Sequence, residues 1–161
     1  MKIIRSIIAV IAIFMLIISL VPIPLKVERS LDGVGYDEKD PESFENINID
    51  SDGWYFFYII PMFKRNYFTG KFKIGEQVHN YTKYAQLTFA KSMAGEEAGM
   101  HYYDETENSF RWGGQLRQKD IFKKISIWKD DKKFISAPAG NIAEADRITR
   151  ELRSFFYETA E

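Results

Sequence analysis

Residues 6–25, SIIAVIAIFMLIISLVPIPL, carry no charged side chain. A helix of that length rises about 30 Å, the thickness of a bilayer's hydrocarbon core. Helices packed in a water-soluble core normally keep one polar face, and this run has none. It is therefore read as a membrane-spanning helix. Lys2 and Arg5 supply the short positive region that both a signal peptide and a signal anchor need. A cleavable signal also wants small residues three and one before the cut, and only Ser19 stands near such a place. Pro22 and Pro24 stop the helix, because proline lacks the amide donor and clashes with the preceding turn. The expectation is an uncleaved, single-pass signal anchor over 6–25, with a secreted product of signal cleavage as the alternative. A short cytoplasmic stub, 1–5, and a large polar remainder place the body outside the cytoplasm.

After the span, one domain's worth of chain remains. The 13 Phe and 9 Tyr of the sequence can furnish a real core, and the absence of cysteine excludes disulfides, thiol nucleophiles and Cys-bound metals. A net charge of −1 hides strong patterning. Segment 28–53 holds nine acids and two bases, 54–93 six bases and one acid, 94–107 five acids, and 108–133 eight bases and three acids. Such blocks are ordinarily solvated faces; the functional alternative is that acidic stretches contact the basic body or a charged partner. The mildly acidic pI of 6.2 gives a nucleic-acid role no support.

Segment 26–53, rich in Asp, Glu, Ser, Gly and Asn, reads as an acidic tether. WYFFYII and NYFTGKFKI read as strands. In 75–95, Val78, Tyr81, Ala85, Phe89 and Met93 recur at helical steps before Gly95, so a helix is expected, with a strand alternation in Tyr81, Ala85, Leu87 and Phe89 competing. Two short strands around DETEN and a turn at Gly113–Gly114 follow. Then comes a hairpin in IFKKISIWKDDKKFIS. The last helix is the clearest element: Asn141 and Glu144 have capping-box spacing, and Ile142, Ala145, Ile148, Thr149, Leu152, Phe155 and Phe156 share a face. The expected fold is α+β, an N-terminal transmembrane helix before a small antiparallel sheet with two helices packed on it, occupying 54–161 as the extracytoplasmic domain.

No motif in the chain names a reaction. There is no nucleophile elbow, phosphate loop, dinucleotide fingerprint or HExxH. His101 with Asp104, and His79 with Glu76, have metal-ligand types, but nothing completes either set, so no catalytic residue, metal or cofactor is assigned. Asn80 begins a formal glycosylation sequon. Arg111 and Trp112 suit stacking on a ligand or partner, and with His101 they are the candidate contact residues. The functional expectation is a membrane-anchored, non-catalytic extracytoplasmic interaction or accessory domain. It would meet the membrane through its N-terminal helix and a protein or ligand of the cell envelope, but no nucleic acid. An envelope hydrolase using Glu96, Glu97, Asp104, Glu105 and Glu107 is one alternative. An exclusion, immunity or lysis-control protein of a mobile element is another, resting on analogy.

Overall fold

The computed structural model describes residues 2–40, 43–59, 65–92, 95–104, 109–129 and 133–153. The chain opens with α1 (Lys2–Leu20) and closes with α2 (Ile142–Arg153). Between them lie β1 (Ile23–Asp37), β2 (Phe44–Phe57), β3 (Asn66–Ile74), β4 (Gln77–Tyr81), β5 (Leu87–Ser92), β6 (Gly95–Asp104), β7 (Ser109–Lys119), β8 (Lys124–Trp128) and β9 (Lys133–Ala137). All pairings are antiparallel, in the order β2-β1-β9-β8-β7-β6-β5-β3-β4, and β2 also pairs with β3. That last pairing closes eight strands into a barrel and leaves β4 as a flap on β3. Closure satisfies most of the strand edges that an open sheet exposes.

This architecture corrects the expected α+β fold. Among the described residues α2 is the helix seen packed on the sheet, and it lies outside the barrel. The segment 75–95 is not helical. Gly75, at a φ of 57°, and Glu76 form the tight turn between β3 and β4, and β5 follows. His79 and Tyr81 are buried while Val78 and Asn80 are exposed, so the period-two pattern prevails over the helical one. Tertiary pairing with β3 supplies the hydrogen bonds that local propensity leaves open. The segment read as a tether forms β1 and β2, in continuous register from Ile23↔Phe57 to Tyr36↔Phe44.

The expected transmembrane signal anchor is also corrected. The helix ends at Leu20, and Ile23, Pro24 and Leu25 are already strand, paired with Phe57, Phe56 and Tyr55. Among the described residues no helix is long and apolar enough to cross a membrane.

The interior is filled rather than hollow. Phe68, Phe72, Leu87, Phe89, Met100, Leu116, Phe122, Ile125 and Ile127 are essentially inaccessible and form one cluster. Phe122 is its centre. It reaches the interior from a turn, not a strand: Asp120, Ile121 and Phe122 have φ of 54°, 53° and 59°, a left-handed stretch that residues with side chains rarely adopt. Lys123 N donates to Lys119 O at 3.2 Å and Phe122 N to the Gln118 side-chain oxygen at 2.8 Å, which closes this turn.

Parts of the charge blocks meet opposite charges across strands, although Glu28 stands opposite Asp52 and Lys119 opposite Lys124. Asp50 and Asp52 of β2 stand opposite Lys73 and Lys71 of β3. Glu97 of β6 stands opposite Arg117 of β7, with a 3.0 Å ion pair. Opposite charges facing each other across strands stabilise a register, and like charges penalise a slip.

The terminal helix forms where its caps predict. Glu144 N donates to Asn141 Oδ1 at 3.0 Å, and Gly140 N donates to Glu144 Oε2 at 2.8 Å. Ala145, Ile148 and Leu152 pack on Val34, Tyr36 and Phe134, on the outward faces of β1 and β9. Phe155 and Phe156, expected on the same face, lie outside the described residues.

Candidate functional site

One edge of β3 serves two strands. Gly70–Ile74 pair with Tyr81–Gln77 of β4, and Asn66–Phe68 pair with Phe89–Leu87 of β5. The barrel wall therefore forks at Thr69. The chain crosses the fork in a tight turn, with Thr82 N on Ala85 O at 3.1 Å, Ala85 N on Thr82 O at 3.3 Å, and Tyr84 N on Thr82 Oγ1 at 3.3 Å. The turn holds Tyr84 94% exposed. Beneath it lies a cavity of about 320 Å³, lined by Tyr81, Tyr84, Ala85, Gln86, Gly99 and His101.

Tyr81 spans two environments. Its ring is in the interior cluster, edge-on to Phe68 at 6.4 Å between centroids. Its hydroxyl is buried and has no hydrogen-bond partner among the described residues. Burial pushes its pKa up, so it stays a neutral donor. A buried donor without a partner costs about 1–3 kcal/mol, which a bound acceptor would recover. His79, one pleat away, is also buried. Burial and then the nearby Lys129 charge lower its pKa, which favours neutral imidazole.

Of the residues singled out in sequence, His101 lines this cavity. Trp112 is its register partner in β7, and Arg111 pairs with Tyr102. The expected Gly113–Gly114 turn is a strand irregularity instead. The register shifts between Met100 and His101, and Gly114 has a φ of 117°. A Cβ there would stand 2.4 Å from Trp128 O, so the close approach of β8 requires glycine. Glu76 sits in the turn and His79 in β4, so their helical spacing no longer places them on one face. Sequence reasoning missed Tyr81 as a site residue, along with Tyr84 and Gln86. The signal lay in the break in strand alternation from Thr82 to Gln86.

Two of the carboxylates invoked for a hydrolase, Glu96 and Glu97, are committed to the barrel. Glu96 accepts from the Tyr55 hydroxyl and from the Asn66 and Gln118 amides. Glu97 accepts from Arg117 at 3.0 Å and from the Gln115 amide. Burial, followed by the Glu96 contact, pushes the Tyr55 pKa up. Glu105 and Glu107 lie outside the described residues. Among the described residues no group of three His, Asp or Glu is placed to hold a metal ion.

The fold and site together define a small antiparallel barrel with a packed interior and an external cavity where its wall forks. No family model matches the chain, and no curated protein or solved structure does.

Proposed function

We propose that this chain is a membrane-associated, extracytoplasmic binding barrel, an interaction or accessory domain rather than a catalyst. The observation that carries the reading is the surface of α1. Ile4, Ile7, Ile8, Val10, Ile11, Ile13 and Phe14 are each at least 54% exposed, and among the described residues neither hydrophobic cluster includes one from α1. Apolar area left in water costs about 25 cal/mol per Å², and contact with a lipid surface would relieve it. The barrel then works as a receptor at its wall fork. The Tyr81 hydroxyl donates to a carbonyl or amide oxygen of a small ligand, with Tyr84 and His101 as flanking surfaces. The engagement of Glu96 and Glu97 by structural donors favours binding over hydrolysis.

Flotation of the full chain with neutral phospholipid vesicles tests the membrane part. The chain should rise with the vesicles, and a variant carrying Ile7→Asp and Ile11→Asp should stay below. A wild-type chain left monodisperse in the lower fraction at lipid excess would sink the reading. For the cavity, a panel of small aryl amides should include ligands that raise Tm, and Tyr81→Phe should remove that rise.

A further inference from the structure

The outer face of β1, β2 and β3 changes character row by row. Val27, Tyr55 and Phe68 lie in the interior cluster, so their neighbours along each strand point outward. Register then sets the outward residues in rows across the three strands. Nearest α1 stand Pro24, Phe56 and Tyr67. Next come Lys26, Trp54 and Thr69, then Glu28, Asp52 and Lys71, and then Ser30, Asp50 and Lys73. Successive rows are about 7 Å apart. The first row is apolar and aromatic, with Phe56 and Tyr67 stacked at 4.6 Å between ring centroids. The second carries Trp54, 47% exposed, beside a lysine. The third and fourth are charged or polar throughout. Lys26 pairs with Asp52, so the ionic part of the face begins where the aromatic part ends.

The aromatic end of this face is tied to α1 by the chain itself. Leu20, the last residue of α1, is three peptide units from Ile23, at most about 11 Å. Leu20, Val21 and Ile23 are exposed as well, so exposed apolar residues continue from the helix into β1. A surface that holds α1 is therefore within reach of the first row, whichever way the helix points. A phospholipid surface offers the matching order of environments: an acyl boundary, then the headgroup level where Trp and Tyr concentrate, then water. Lys26 and Arg65, which precedes β3 at this end, are long exposed cations of the kind that flank such an aromatic belt. The geometry points to a seating surface: the Pro24, Phe56 and Tyr67 row and Trp54 rest in the headgroup layer of a phospholipid membrane, and the charged rows from Glu28 onward stay in water. This inference rests on the membrane reading above and adds to it the face of the barrel that meets lipid. Neutral lipid suffices, because Asp52 already matches Lys26.

The chain has no cysteine, so single cysteines can carry a probe without competing sites. Thr69→Cys places a nitrobenzoxadiazole probe in the row of Trp54, and Ser30→Cys places it in the last row, about 14 Å further from α1. With phosphatidylcholine vesicles bearing a nitroxide on the headgroup, the Thr69 probe should lose at least about half its emission and the Ser30 probe almost none. Trp54→Thr, which keeps a strand-forming residue, should weaken vesicle partitioning by about fivefold. Equal quenching of the two probes on a chain that floats, or unchanged partitioning of Trp54→Thr, overturns the seating. So does a change at the Thr69 probe that occurs without vesicles and grows with protein concentration, which would assign this face to a second copy. A chain that fails to float sinks the membrane reading before either probe is read, so the two failures are distinct.

Discussion

Inside the barrel, Phe122 meets Phe68, Phe72, Phe89 and Tyr55 at ring-centroid separations of 5.3–6.1 Å, mostly edge-on. Under α2, the same sheet turns its other face and presents hydroxyls. Tyr36 Oη donates to Thr149 Oγ1 at 3.0 Å, Ser136 lies 2.7 Å from Thr149, and Ser126 lies 3.2 Å from Ser136. All four residues are buried. The interior is thus held by volume and by ring contacts, whose orientation preference is looser than that of a hydrogen bond. The helix is seated by directional bonds among small side chains, which specify its rotation and axial position on the barrel. Burial, and then the Thr149 bond in opposition, set a raised Tyr36 pKa, so its hydroxyl remains a donor at neutral pH.

The difference can be broken most forcefully at Phe122. Phe122→Ala removes the ring on which four aromatics converge and should cost about 3–5 kcal/mol in urea unfolding. A loss below about 1 kcal/mol would mean that the interior repacks and that the plug is ornamental. Thr149→Val keeps shape under α2 but strands the Tyr36 hydroxyl and leaves Ser136 only its Ser126 contact. The expected loss is about 1–3 kcal/mol, and the double change with Tyr36→Phe should recover part of it. Equal losses in the single and double variants would show that the hydroxyls are not one network. Asp120→Gly relieves a left-handed backbone at an exposed position and should raise stability by up to about 1 kcal/mol. A loss instead would show that the turn is held without strain.

The smallest effect belongs to the rim of α2. Glu151 bonds Lys124 at 2.7 Å and Lys119 at 3.3 Å. The Lys124 bond chiefly holds its carboxyl below the ordinary value of 4.5. A carboxyl with a lowered folded pKa stabilises the fold above its unfolded pKa, and that contribution is lost as pH falls through the folded one. Glu151→Gln should therefore cost less than about 1 kcal/mol at neutral pH and nothing in strong acid. A variant deficit that persists in strong acid would assign Glu151 a packing role instead.

Local chemistry made some of this legible. Asn141 and Glu144 announce the start of α2, and the buried residues Ala145, Ile148, Thr149 and Leu152 follow its period. Ile125 and Ile127, then Phe134 and Ile135, are the β8–β9 hairpin foreseen from alternation. His101 was singled out by residue type and does line a cavity. The fork was hidden because it depends on β3 being shared by two strands, and Tyr81 gains its role only there. Val78, Tyr81, Ala85 and Phe89 fit both periods, so the choice of strand over helix needed β3 as a partner. Phe122 sat in an unremarkable KDIFKK, where nothing local signals a left-handed turn aimed inward.

The sequence by itself determined α2, the hairpin of β8 and β9, and the alternating charge blocks. These depend on neighbours a few residues apart, where caps, periodicity and turn chemistry act. Only the tertiary structure decided that most of the 26–53 segment is strand rather than tether, since β1 and β2 are locked by β9 and β3 from distant parts of the chain. It also decided the closure of β2 on β3, the plug at Phe122 and the orphan hydroxyl of Tyr81. Those features arise from pairings between distant segments, whose register is chosen by the whole barrel and not by any one stretch of chain.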